Sequence, residues 1–350
     1  MRKVLLVSHQ LDYSGAPNAL LSSARVMRQM GLEIDLLALA DGPLASEFKL
    51  IGVQIISHTN FLGYEWIILN TAVSARIALY IPDQAIYYLW IHESPLLFVH
   101  SDLPYFVAQA AKRASGLIFP SESTAADWAR YGALRSEGKR VLNVVSPVAL
   151  PAGYERVMRD TSPEGSRTVL RLVSIDPVEF FRGHRVIANA IKHLHRLGHD
   201  VHYTAVGATE SQVRALFPML SADRLVATDR VPRTVALSHL AQSHIYLSAS
   251  AFATQNLGLC EALLLGIPSV ISDIPVHRIW AERLPSSVFT YPLFDDVLLS
   301  QQIHFVLRSY DEQLYLAKGG IHIAEDLLSE RRFALTISSF FGSGVVDIRD

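Results

Sequence analysis

One cysteine stands in 350 residues, Cys260, so a disulfide framework is excluded and a cysteine-ligated metal site is disfavoured. It lies in the apolar run Leu257-Gly-Leu-Cys-Glu-Ala-Leu-Leu-Leu, where the expectation is a buried core thiol and not a nucleophile. Such sparing use of cysteine fits a reducing, cytoplasmic compartment. Charge is also scarce. Only 18% of the residues are charged and the formal net charge is −2. There is no global basic footprint for nucleic acid. Half of the residues are apolar. That excludes a disordered chain and supplies two cores of about 150 residues each.

Long hydrophobic runs are missing too. The opening Met1-Arg-Lys-Val-Leu-Leu-Val-Ser-His is too short for a signal peptide and reads as a first strand. The least charged stretch, Ser243 to Ser272, holds Glu261 as its one charged residue, and Asn256, Gly258, Gly266 and Pro268 interrupt it. It reads as strand, loop, helix, turn and strand, not as a membrane span. Peripheral contact with the inner face of a membrane is compatible with this pattern. No Gly-x-Gly-x-x-Gly follows a strand and no Gly-x-x-x-x-Gly-Lys-Ser/Thr occurs, which disfavours dinucleotide and P-loop chemistry. Internal repeats and low-complexity segments are absent.

What is present is alternation. Strand patterns at Lys3–Ser8, Ile34–Leu39, Val53–Ser57, Ala85–Trp90, Leu117–Phe119 and Val141–Val145 alternate with helix patterns at Pro17–Met30, Pro43–Leu50 and Ser121–Tyr131. Gly31 stops the first helix and Ser121 caps the last. Ser146 to Arg167, with Pro147, Pro151, Gly153, Pro163 and Gly165, reads as a linker. Alternation then resumes, with strands at Val169–Ser174, Val201–Val206, Leu225–Ala227, His244–Leu247 and Ser269–Ile271. Helices fall at Gly183–Leu197, Ser211–Leu220, Pro232–Ala241 and Leu257–Leu265, and the tail from about Asp295 to Phe341 is helical. The expected architecture is α/β, with two doubly wound Rossmann-like domains at 1–148 and 169–350 joined by a linker at 149–168. Ligands are then expected at strand carboxyl ends, in a central cleft between the domains.

Four segments carry candidate chemistry. Ser8-His-Gln-Leu-Asp-Tyr-Ser-Gly-Ala-Pro-Asn opens the first helix, and Gly15 there admits close approach of an anion to unpaired N–H groups. A plain turn is the alternative. Trp90-Ile-His-Glu-Ser-Pro puts His92 and Glu93 at a sheet edge, where a histidine bonds a hydroxyl or is simply a capped loop residue. Phe181-Arg-Gly-His-Arg sets Arg182 and Arg185 at a helix N-terminus, against the macrodipole, which favours a bound phosphate over a pair of solvated arginines only if an anion is there. Glu261 is a lone carboxylate on an apolar helix. It needs either a ligand such as a ribose diol or a salt bridge to an arginine. His184, His193, His195, His199 and His202 lack metal-ligand spacing and are read as solvated. No Asp-x-Asp motif sits in a strand-end loop, so no metal is implied.

Taken together these segments resemble the family 4 glycosyltransferases, retaining enzymes of GT-B fold, over almost the whole chain. The resemblance rests on Ser14-Gly-Ala-Pro, Ile91-His-Glu, Leu117-Ile-Phe-Pro-Ser-Glu and Ser250 to Pro268 followed by Ser272-Asp-Ile-Pro-Val-His-Arg. It implies that His92 lines the active site. It places Gly15, Arg182, Arg185, Asn256, Leu257 and Glu261 around a nucleotide-sugar donor, with the diphosphate near Arg182 and the ribose on Glu261. It implies no cofactor beyond that donor and a glycan or lipid-linked acceptor, as in polysaccharide biosynthesis. C-terminal helices are expected to cross back to the first domain. Arg182 replaces the usual lysine of the family, a tolerable change for phosphate, and three further positions depart from the family pattern. Asp176 stands where the family has an arginine, Ala253 where it has the first Glu of Glu-x7-Glu, and Ile279 where it often has Glu. Those three departures carry the rival reading of a non-catalytic binding or scaffold subunit, and a sugar-nucleotide epimerase on the same fold is a further alternative.

Overall fold

The computed structural model describes residues 2–132, 134, 138–154 and 169–341. Most of the Ser146–Arg167 stretch, and with it most of the expected 149–168 linker, lies outside the described residues. The chain divides into two compact units, Met1–Val148 with Leu327–Asp350, and Ala149–Asp326.

The first unit runs β1 (Lys3–Ser8), α1 (Gly15–Gln29), β2 (Glu33–Ala38), α2 (Ala45–Leu50), β3 (Gln54–Ile56), β4 (Trp66–Asn70), β5 (Tyr87–Trp90), α3 (Leu103–Arg113), β6 (Gly116–Phe119), α4 (Glu122–Tyr131) and β7 (Arg140–Asn143). Its strands form one parallel sheet in the order β3-β2-β1-β4-β5-β6-β7. Side chains alternate across a strand, so β1 feeds two cores. Val4 and Leu6 pack with Leu20, Ala24 and Met27 of α1. Leu5 and Val7 pack with Val107, Ala110 and Ala111 of α3. Burial on both faces is what a parallel sheet demands.

The second unit runs β8 (Leu170–Ile175), α5 (His184–Arg196), β9 (Val201–Val206), α6 (Glu210–Leu216), β10 (Leu225–Thr228), α7 (Arg233–Ala241), β11 (Ile245–Ser248), α8 (Leu257–Leu264), β12 (Ser269–Ser272), α9 (Pro275–Arg283), β13 (Val288–Tyr291), α10 (Asp296–Arg308) and α11 (Tyr310–Gly319). Its parallel strands are ordered β10-β9-β8-β11-β12-β13. Leu170 and Leu172 of β8 pack under Ile187, Ile191 and Leu194 of α5 and Ile303 of α10. The chain continues through α12 (Ile321–Leu328) into α13 (Glu330–Phe341). α13 belongs to the first unit, where Phe333, Ile337 and Phe340 enter the core of α1 and β1.

Four elements were not legible in the alternation, namely β4, α3, α9 and β13. β4 matters most, because it is the neighbour of β1. All five of its residues are buried. It escapes notice because the turn that ends it carries no Gly or Pro. Thr71 makes that turn at φ 85°. This is a conformation that β-branched residues rarely adopt. In each sheet the strand succession reverses once, between β1 and β4 and between β8 and β11. Such switch points open crevices at strand carboxyl ends.

Candidate functional site

At the first switch point three strand ends deliver polar groups. β1 ends at buried Ser8 and is followed by His9. β4 delivers Asn70 and Thr71. β5 delivers His92 and Glu93. The Asn70 carboxamide oxygen accepts from His92 Nε2 at 2.8 Å, and its Nδ2 reaches the Ala16 carbonyl in the first turn of α1 at 3.5 Å. Thr71 Oγ1 bonds His9 Nδ1 at 3.0 Å. The Glu93 carboxylate accepts from the backbone N–H groups of Ala72 at 2.9 Å and His92 at 3.2 Å. One carboxylate thereby ties the strained turn after β4 to the turn after β5. Trp128 Nε1 donates to the Glu93 carbonyl at 2.7 Å and fixes this turn from the α4 side.

Burial sets the protonation of this cluster. It pushes His92 down to about 3, with His9 adding to the effect. His9 is lowered by burial as well, against the pull of Asp12. Burial also pushes the Glu93 carboxyl up to about 7, against the N–H groups that favour its anion. At neutral pH the two imidazoles are neutral, so each can donate from one nitrogen and accept at the other. Ser14 caps α1 only with its backbone. Its hydroxyl turns to the Asp12 carboxylate, which also accepts from the Ser14 N–H at 3.1 Å. Gly15, the first residue of α1, is exposed.

The second switch point is built from charges. Asp176 follows β8 and is buried, with 8% of its surface exposed. Its Oδ1 lies 3.0 Å from Arg182 Nη1. Ser250, after β11, stands beside both, accepting from Arg182 Nη1 at 3.4 Å and donating to Asp176 Oδ2 at 3.5 Å. Gly183 bends the chain at φ 68°, and a Cβ there would lie 2.3 Å from the Ala249 carbonyl oxygen. Conformation and close approach both require glycine at this position. α5 begins at the next residue.

His184 corrects the reading of a solvated histidine cluster. It is buried, donating from Nε2 to the carbonyls of Pro177 and Asp176 at 3.1 and 3.2 Å, and its Nδ1 accepts from Tyr203 at 3.2 Å. It shares the inner stripe of α5 with Ile187, Ala188 and Ile191. His199 is half-buried and bonded to His304 at 2.9 Å. Arg185, on the first turn of α5, is exposed.

A third strand end extends the second site. Ser272, at the end of β12, donates to the Ser250 carbonyl at 2.6 Å. His277 Nδ1 donates to the Ser272 carbonyl at 2.8 Å, and its Nε2 accepts from Asn256 Nδ2 at 2.9 Å. Burial pushes His277 down to about 4, with Arg182 contributing. Asn256 holds a left-handed conformation, φ 59°, and caps α8 through Leu259 N–H at 3.1 Å while accepting from Tyr246 at 3.0 Å. Leu257 is the first residue of α8. Glu261 meets an arginine from another helix, since its Oε1 lies 2.5 Å from Nε of Arg233, the first residue of α7. Burial raises the Glu261 carboxyl and Arg233 opposes the rise. Nη2 of Arg233 is buried without a hydrogen-bond partner among the described residues.

His92 and the first turn of α1 next to Gly15 thus come together in one unit. In the other, Ser250, Ser272 and His277 link Arg182 to Asn256 at the head of α8, while Glu261 lies further along α8 against Arg233 of α7. Residues that sequence reasoning missed are Asn70, Thr71 and His9 in the first cluster and Arg233 in the second. Arg233 did carry a signal, an arginine directly after Pro232 at a helix start, the same opposition to the macrodipole that marks Arg182. Among the described residues no helix is long and apolar enough to cross a membrane. No group of three or more His, Cys, Asp or Glu among them is placed to hold a metal ion.

Residues 1–150 match the family described as glycosyl-transferase family 4. No curated protein matches the chain by sequence. Among solved structures, HepE of Anabaena in complex with UDP-glucose is 16% identical with a TM-score of 0.81, covering 98% of this chain and 100% of that one. Sucrose-phosphate synthase of Thermosynechococcus elongatus is 12% identical with a TM-score of 0.76, covering 98% of each chain. A glycosyltransferase of Rickettsia africae is 12% identical with a TM-score of 0.73, covering 98% of this chain and 100% of that one. At such identities the shared property is the fold, the paired parallel sheets of GT-B proteins.

Proposed function

We infer from the match of residues 1–150 to glycosyl-transferase family 4, and from the GT-B fold shared with solved structures, that the chain acts as a member of that family. From that premise we propose that the protein moves a sugar from a nucleotide-sugar donor to a hydroxyl of a glycan or lipid-linked acceptor, with retention at the anomeric carbon. The observation that carries the reading is Arg182, set at the switch point of the second sheet one residue before the glycine that opens α5. The donor diphosphate lies there, on the guanidinium and the first-turn N–H groups of α5, with Arg185 supplying outer positive charge. Stabilising the departing diphosphate is the main contribution to rate. That group leaves with the electron pair of the broken C–O bond and takes the acceptor proton, so the protein needs no dedicated base. Glu261 and the unpartnered Nη2 of Arg233 bond the ribose hydroxyls. Asn256 and Leu257 at the head of α8 border the nucleotide. Neutral His92, oriented by Asn70, bonds a sugar hydroxyl. HepE, whose structures contain UDP, glucose and UDP-glucose, offers a first set of probes.

The test is turnover of UDP- and GDP-sugars with glycan and lipid-linked acceptors, the anomeric configuration of the product being read by NMR. Retained configuration and loss of turnover in Arg182→Ala are expected. An inverted product, or full turnover without Arg182, contradicts the reading. The rival is a non-catalytic binding subunit, favoured by the ion pair that Asp176 makes with Arg182. Binding of a nucleotide sugar without turnover on any acceptor marks that case.

A further inference from the structure

The Asp176 carboxylate occupies the place at Arg182 where an anion would sit. It is held 3.0 Å from Nη1, it is almost entirely buried, and Ser250 stands beside both groups. The loop that bears the pair cannot simply swing away. Ala251 N–H donates to the Phe181 carbonyl at 2.7 Å, Gly183 is pressed against Ala249, and Phe181 lies under the guanidinium at 5.0 Å. A diphosphate that reaches Arg182 therefore meets a fixed carboxylate of its own sign.

The groups around Asp176 offer little relief. Arg182 is the nearest cation, and Glu179 on the same loop lies 3.8 Å from its Nε. His184 from α5 spends Nε2 on the Asp176 and Pro177 carbonyls and Nδ1 on Tyr203. Tyr203 of β9 and Tyr246 of β11 face the carboxylate as neutral phenols, since burial raises both and Asp176 raises them further. Beyond Arg182 lies His277 of α9, neutral and already bonded to Ser272 and Asn256.

We propose that Asp176 determines the charge the donor site accepts, and that a nucleotide sugar binds with uptake of one proton by this carboxylate. The proposal rests on the donor-site reading above. When phosphate oxygens take the guanidinium, Asp176 loses the partner that offset its burial and gains a negative neighbour. Both changes favour its protonated form, which then donates a hydrogen bond to a phosphate oxygen or to Ser250. The direction is already set in the free protein, where burial raises the Asp176 carboxyl and only Arg182, His184 and Ser250 pull it down. Binding therefore strengthens as pH falls.

The experiment is calorimetric titration with UDP-glucose and GDP-mannose. These diphosphate diesters carry no phosphate proton that titrates between about pH 5.5 and about pH 8.5, so uptake belongs to the protein. Each titration is run in two buffers of different ionisation enthalpy. Wild type should take up close to one proton and gain affinity by up to about tenfold per pH unit as pH falls. Asp176→Asn should bind more tightly than wild type at the alkaline end and lose the proton uptake. The wild-type measurement stands alone if the variant fails to fold. Binding to wild type without proton uptake, or uptake unchanged in Asp176→Asn, overturns the proposal and leaves the donor site standing. Failure of both diesters to bind wild type and variant alike removes the donor site and the proposal with it.

Discussion

The two switch points share a topology and solve opposite problems. At β1 and β4 the polar groups carry little charge, being two neutral imidazoles, an amide, a hydroxyl, and a carboxyl that, raised to about 7, is only partly ionised at neutral pH. At β8 and β11 they are ionic, with Arg182 against Asp176 and Arg233 against Glu261. A neutral cluster can orient a hydroxylated ligand without a large desolvation cost. An ionic one is suited to a charged ligand but is costly to leave half-made. The first cluster is thus suited to hydroxyl groups and the second to an anion.

The largest effect should come from breaking an ion pair in the second unit. Arg233→Ala strands the buried Glu261 carboxylate and should lower unfolding free energy by about 3 kcal/mol, the lower end of the range for an uncompensated buried charge because Arg233 is one-quarter exposed. Urea denaturation reads this out. His92→Ala, the matching cut in the neutral site, should cost clearly less. Equal losses would erase the distinction between the sites.

Next in size is ligand binding. Arg182→Ala should weaken a nucleotide diphosphate by about 1.5–3 kcal/mol through the lost charge-assisted bonds. His92→Ala should leave that affinity unchanged while reducing transfer. The reverse pattern in a binding titration would exchange the two roles.

Glu93 sharpens the comparison through pH. Its folded carboxyl titrates near 7, above its ordinary value of 4.5. A carboxyl raised in the folded state contributes stability that is fully present below its unfolded value and is lost as pH rises through the folded one. Allowing for its partial exposure, about 2 kcal/mol should disappear between about pH 4.5 and about pH 7.5. His92 and His277 act in the other direction. Both are depressed, so their contribution is lost as pH falls from about 6.5 toward their folded values. The difference between Glu93→Gln and wild type isolates the first limb, and should grow in favour of the variant from acid to neutral pH in thermal melts. A constant difference would place Glu93 in an ordinary environment.

The smallest effect is a cap. Asn256→Ala and Asn256→Gly both lose the acceptor for Leu259 N–H and the bonds to Tyr246 and His277, and they differ by the left-handed alanine alone, about 1–2 kcal/mol. Asn256→Gly should cost less, since glycine accepts the conformation.

Much of this was visible in the sequence, for stated reasons. Buried parallel strands write themselves as short apolar runs, so β1, β2, β8 and β9 stand out. Arg182 and Glu261 are legible because each violates a local rule, a cation at a helix start and a charge on an apolar helix. The first cluster is poorly legible because half of it hangs on β4, whose closing turn uses Thr71 in place of glycine. The partner of Glu261 is 28 residues away on another helix, a contact that spacing alone does not encode. His184 was open to a better reading, because it sits at helical spacing with Ile187, Ala188 and Ile191 on the buried face of α5.

The most direct test is a crystal structure of the protein with UDP bound. The expected result is a diphosphate within hydrogen-bonding distance of Arg182 and the first-turn N–H groups of α5, with the ribose on Glu261 and Arg233. A diphosphate seated elsewhere, with the Arg182 and Asp176 pair intact, would contradict the assignment of the second switch point as the donor site.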